Sequence, residues 1–161
     1  MSDSTVSASG FPELDEDATP LDRVLDHRPD YAAAMRDIEA AIWAQDAVSP
    51  QILELCRLRI AQLLAADDDL AHRTPIDPPL DEDLIASLRY WPTDPRFTEE
   101  QKVALGYAEQ LLVDAQGVTD DDAAHVIATL GEGAYLVLAY GCGFFETTQR
   151  ARILLATRRH P

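Results

Sequence analysis

The chain has 161 residues, 47% of them hydrophobic and 26% charged, which is the size and composition of one globular domain with a real core. Its net charge of −16, from 13 Lys and Arg against 29 Asp and Glu, argues against nucleic acid or an anionic membrane surface as partner, because both require clustered cations. A small acidic ligand held by local arginines stays compatible with that balance. The N-terminus lacks a basic start followed by an apolar run, so no signal peptide is expected. The longest apolar stretch, Ala134 to Phe145, falls short of the about 20 residues that a bilayer span needs. The cytoplasm is the expected location.

In chain order, residues 1–19 hold Asp3, Glu13, Asp15, Glu16 and Asp17 with no base and little to bury, and read as a disordered acidic tail. A helical domain is expected over 20–161. Leu21 to His27 reads as a short helix. Asp30 is a candidate cap for a second helix to about Gln45, with Tyr31, Met35, Ile38 and Ile42 recurring at helical spacing. Ser49-Pro50 is a helix start, a capping residue followed by proline at the first helical position.

The helix it opens, through Glu54, Cys56, Arg57, Arg59 and Gln62, is apolar almost all round and belongs in an interior. Its charges therefore need partners or a task. Continued unbroken to His72, it would hold Glu54 and His72 about 27 Å apart. Asp67-Asp68-Asp69 is a better helix start than a helix middle, so a break is expected at Ala65–Asp67. A short helix then runs through Arg73 to Thr74-Pro75, before the proline loop of Pro75, Pro78 and Pro79.

Asp81 to Tyr90 reads as a helix and Trp91 to Pro95 as a turn. Thr98-Glu-Glu-Gln101 is a capping box opening a helix to about Asp114. Thr119 caps the next, Asp120 to about Leu130, and a long last helix runs from Ala134 to about Arg158. No alternating strand pattern occurs, so the fold class is all-α.

Asp69 and His72, three apart on a helix, share a face. A carboxylate beside an imidazole fixes its tautomer and suits acid/base chemistry, while a solvated surface pair has the same spacing. Glu54 and Arg59 lie about 140° apart around the helix and do not face each other; Glu54 at (i, i+3) from Arg57 also fits a plain helix ion pair. The Asp67–His72 cluster matches no standard metal spacing. Cys56 and Cys142 have neither metal nor redox spacing and read as buried thiols, with a disulfide between them left open. Gly141 and Gly143 each cost roughly 1 kcal/mol inside a helix, which fits close helix packing or a pocket wall. No nucleophile elbow, phosphate loop, dinucleotide fingerprint or zinc motif occurs, and no cofactor is expected.

Three blocks together resemble the carboxymuconolactone decarboxylase family, in its alkylhydroperoxidase D-like branch, over about Leu21 to Ala156. Ser49 to Leu63 looks like the family's helix of Glu (Glu54), Arg five residues on (Arg59) and Gln eight on (Gln62). Trp91 to Glu109 is similar to its middle block. Gly143-Phe-Phe-Glu-Thr-Thr-Gln-Arg150 is similar to its Gly-Phe-Tyr-Asn…Asn-Arg signature. The resemblance implies an alkylhydroperoxidase D-like helical bundle in a single domain, assembled as a dimer, trimer or hexamer.

Departures bear on function. Peroxidase members carry Cys-x-x-Cys-x-x-x-His after the Gln; here Ala66 and Asp69 fall at the cysteine positions and Arg73 at the His. Without that thiolate there is no peroxidatic nucleophile. A related subgroup has an acid at the second cysteine position and a His one residue earlier than the usual one, and Asp69 and His72 match it. Phe145, Glu146 and Gln149 replace the commoner Tyr, Asn and Asn. The resemblance thus implies thiol-independent acid/base chemistry on a small organic acid or lactone. His72 would be the acid/base, Asp69 its orienter and Glu54 a second proton-handling group, with Arg59 and Gln62 binding substrate. The alternatives are a non-catalytic oligomeric binder or scaffold, and third, an alkylhydroperoxidase-type activity using Cys56 or Cys142.

Overall fold

Ser49 starts the central helix as expected: its side chain accepts the Ile52 N–H at 3.3 Å, with Pro50 in the first turn. The computed structural model describes residues 20–156, and the tail expected over 1–19 lies outside the described residues. The helices are α1 (Pro20–Leu25), α2 (Pro29–Ala44), α3 (Pro50–Leu64), α4 (Asp67–Ala71), α5 (Glu82–Ala86), α6 (Glu99–Asp114), α7 (Asp120–Leu130) and α8 (Glu132–Ala156). Single 3₁₀ turns follow α5 (Leu88–Tyr90) and α6 (Ala115–Gly117). Among the described residues there is no strand, and no single helix is long and apolar enough to cross a membrane.

Helix α3 is the axis of the bundle. It packs against α6 on one side and α8 on the other, and α7 closes over both. Every residue from Ile52 to Leu58 is therefore buried, polar ones included. Leu53, Leu55, Leu58, Leu105 and Leu138 are fully enclosed; burying a side chain of that size contributes about 1.5–3 kcal/mol. Thr98 and Thr119 form the capping boxes of α6 and α7, with Gln101 and Asp122 as reciprocal partners. Gly131 joins α7 to α8 at φ 96°, a left-handed backbone that a residue with a Cβ adopts only with strain.

Three local expectations change. Asp30 does not cap α2: the helix starts at Pro29, and Asp30 takes the exposed Arg28 guanidinium at 2.8 Å. Tyr31 and Ile38 are largely exposed, because α2 is anchored near its C-terminal end, where Trp43 stacks 5.6 Å from the Phe145 ring. The helix expected over Asp81–Tyr90 is split at Ser87, whose hydroxyl donates to Leu84 O at 2.9 Å, with Asp81 serving as cap rather than first residue. A side-chain bond back into its own turn competes with the helical ladder.

The two glycines in the middle of α8, Gly141 and Gly143, differ. A Cβ at Gly141 would stand 3.6 Å from Ile42 Cγ2 and 3.9 Å from Leu53 Cδ2, ordinary packing distances. At Gly143 a Cβ would meet nothing within 4 Å. Gly143 is exposed and lines a cavity between α6 and α8. Gly143→Ala is expected to stabilise the fold by about 0.5–1 kcal/mol through helix propensity, read from urea denaturation; a loss of stability would show that a methyl group does not fit there.

Candidate functional site

The expected break in the central segment is present, and its geometry explains the buried charges. Ala65 takes left-handed angles (φ 53°, ψ 42°) and ends α3; α4 begins at Asp67. Helix α4 stops at Ala71, two residues earlier than the expected Arg73, and His72 is already extended. The cause is Arg57. Its Nη1 donates to Asp69 O at 2.9 Å and its Nη2 to His72 O at 2.8 Å, satisfying carbonyls that a five-residue helix leaves without partners.

The same guanidinium holds Glu54 in a two-point grip, Nε to Oε2 at 2.7 Å and Nη2 to Oε1 at 2.6 Å. Thr74 completes the shell: its N–H donates to Oε1 at 3.1 Å and its hydroxyl to Oε2 at 2.7 Å. A carboxylate offers about four acceptor positions, and all four of Glu54's are filled while the residue is only 1% exposed. Gln149 of α8 adds one more tie, its amide donating to Arg57 O at 3.1 Å. Gln149 Oε1 is left as a buried polar atom with no partner among the described residues. Next along the chain, Gln51 Nε2 donates to Pro78 O at 2.8 Å and pins the proline loop to α3.

Asp69 and His72 part company. The Asp69 carboxylate is buried and ion-paired with Arg152, reaching across from α8. It borders a cavity of about 260 Å³ shared with Ala66, Asp67, Asp68 and Ile153. The His72 residue is exposed and only its carbonyl joins the Arg57 network. The structure therefore gathers Glu54 around Arg57 through its carboxylate and Asp69 and His72 through their backbone carbonyls, and does not bring the three side chains into one proton-transfer array.

Arg59 and Gln62 leave α3 on another side, into an open groove of about 510 Å³. Arg59 Nε donates to Glu109 Oε1 at 2.5 Å and Nη1 to Gln62 Oε1 at 2.9 Å, while Trp91 Nε1 donates to the same Glu109 oxygen at 2.6 Å. Leu70, Arg73, Ile85 and Arg89 continue the wall. Arg73 forks onto Glu82, both contacts 2.9 Å. That pairing raises the arginine's pKa and holds the Glu82 carboxyl below its usual range. Arg89 lies 5.0 Å over the Tyr90 ring and has no carboxylate partner among the described residues. It escaped the sequence reading, since nothing in its spacing marks it. Arg152 was visible only as one of several arginines near the end of α8, and Thr74 only as a helix stop.

The two thiols are free, buried and in contact. The hydrogen bond with Cys142, together with burial, pushes the Cys56 thiol well above its ordinary range. A thiol held in that form is a poor nucleophile. Nearby, burial and a hydrogen bond with Tyr135 raise the pKa of Tyr107.

Glu54→Gln would leave Arg57 as an uncompensated buried cation. It is expected to destabilise the fold by about 3 kcal/mol, whereas His72→Ala should stay within about 0.5 kcal/mol of the parent. Urea denaturation of both variants checks this, and equal effects would contradict it.

The chain matches no family model and no curated protein. Its structure does have solved relatives in shape. A crystal structure of a protein of unknown function from Agrobacterium tumefaciens, described as a candidate antioxidant defence protein AhpD, superposes with a TM-score of 0.67. It shares 18% sequence identity, over 86% of this chain and 95% of that one. The all-helical architecture is thus AhpD-like.

Proposed function

We propose that this AhpD-like chain is a carboxymuconolactone decarboxylase-type protein that binds a small organic anion without thiol chemistry, in the Arg59–Gln62–Arg89 groove. The observation that carries the reading is Arg89, a guanidinium without a carboxylate partner among the described residues, on the wall of a groove that holds two further arginines. In a chain of net charge −16, a groove wall with three guanidiniums and one carboxylate, Asp67, where only Arg89 lacks an acidic partner among the described residues, is a place for an anion to bind. Leu70, Ile85, Ala61 and Ala86 supply the apolar wall for the ligand's carbon skeleton. The Gln62 side chain, oriented by Arg59, sits on the same wall.

Binding is a better reading than acid/base catalysis for three reasons of geometry. Glu54 has no free acceptor position, Asp69 is engaged by Arg152, and His72 is exposed. The antioxidant role in the description of the A. tumefaciens protein has less support here. Ala66 and Asp69 stand where the resemblance places the reactive cysteines, and Cys56 is kept protonated by its surroundings. Self-association belongs to the same proposal. Leu136, Tyr140 and Leu154 lie exposed along α8, an apolar stripe suited to a second copy of the chain.

Thermal melts with short-chain and aromatic carboxylates, and with neutral lactones of matched size, test the groove. A carboxylate at one hundred times its Kd stabilises by about 2.7 kcal/mol, and Arg89→Ala is expected to weaken it at least about tenfold. His72→Ala should bind as the parent does. Stabilisation by lactones equal to that by carboxylates, or binding indifferent to Arg89, would sink the proposal.

A further inference from the structure

Cys56 and Cys142 are distant in sequence and meet in the interior, on α3 and α8. The pairing of the two helices brings them there. Leu53, one turn before Cys56, lies against Gly141, where a Cβ would be 3.9 Å from Leu53 Cδ2. Arg57, the residue after Cys56, receives the Gln149 amide on its carbonyl. Between these two ties both thiols lie in the same buried core, on helices that pack side by side, and are close enough to influence one another. They differ in access. Cys56 is fully enclosed. Cys142 lines a cavity of about 160 Å³, together with Ile60, Leu111 and Leu112, whose wall reaches exposed Gly143. None of the residues lining this cavity lines the arginine groove.

We infer that Cys56 and Cys142 form a redox-sensitive dithiol, which a small hydroperoxide entering beside Gly143 converts to a disulfide joining α3 to α8. Cys142 is the sulfur the oxidant reaches. Its Sγ, giving up its proton, attacks the terminal peroxide oxygen and breaks the O–O bond. The products are a sulfenic acid at Cys142 and the alcohol of the hydroperoxide. Cys56 Sγ then attacks the Cys142 sulfur, forming the S–S bond; the hydroxyl leaves with the Cys56 proton as water. Two thiols are oxidised by two electrons and one hydroperoxide is reduced. The protonated state of Cys56 makes the second step slow, so this is a change of state on prolonged exposure rather than a catalytic cycle. The link would enclose α4 to α7 within one covalent loop, and closing a long loop stabilises chiefly by restricting the unfolded chain.

The experiment exposes the intact, fully reduced chain to tert-butyl hydroperoxide and counts its thiols in denaturant. Both thiols should be lost, with the chain lighter by two hydrogens and a Cys56–Cys142 peptide recovered on digestion. The Tm should rise by several degrees and return on treatment with dithiothreitol. Cys142→Ala should leave Cys56 reduced under the same exposure, while Cys56→Ala should leave a sulfenic acid at Cys142 that dimedone traps. Two thiols still titratable in the parent chain, or a disulfide formed only between chains, would overturn the inference.

Discussion

Everything in this structure is arranged around one buried ion pair. Removing a carboxylate and a guanidinium from water carries a penalty of several kcal/mol per ion, recovered only when geometry and hydrogen bonding are complete. Here they are complete for Glu54, which accepts from Arg57 twice and from Thr74 twice. Arg57 also donates to the carbonyls of Asp69 and His72. The pair thereby sets where α4 ends, through Arg57, and where the Thr74 segment crosses α3, through Glu54, while Gln149 ties α8 to the Arg57 backbone carbonyl. An ion pair of this kind is weak evidence for added stability, but removing one partner is strongly destabilising, which makes it a determinant of local path.

The arginines fall into distinct physical classes. Arg57 is structural, enclosed, and engaged by Glu54 and by the Asp69 and His72 carbonyls. Arg152 neutralises Asp69 in α4, so this buried acid is held as half of an ion pair. Arg59 and Arg73 are tied to Glu109 and Glu82, which fixes their direction on the groove wall. Arg89, stacked on Tyr90, is the member left to engage a ligand anion. Ordering most of the wall in advance lowers the entropy lost on binding.

Much of the helical frame was legible because its signals are local. Ser49-Pro50, the Thr98–Gln101 box and the Thr119 cap act within four residues of themselves, and all three form as the sequence predicts. The break before Asp67 was legible for the same reason, since three consecutive aspartates favour the positive end of a helix. Asp30 misled because an exposed arginine two residues earlier competed for its carboxylate. The split at Ser87 was hidden because a serine hydroxyl bonding back to its own turn leaves no mark in apolar periodicity. Glu54 was ambiguous at the sequence level, since the same residue fits a helix ion pair and a proton relay.

The sequence by itself determined the all-α class, the starts of α3, α4, α6 and α7, the interior position of α3 and the absence of a paired thiol motif after Gln62. Each of these follows from residue type and spacing along one element. Only the tertiary structure decided which charges meet. Asp69 could share a face with His72 on paper, yet α8 delivers Arg152 to it, and a stronger partner across the bundle displaces a weaker one along the helix. The two cysteines, unremarkable in spacing, come together because α3 and α8 pack side by side. Long-range pairing depends on how whole helices dock, and that is settled by the shape of the core rather than by any short run of residues.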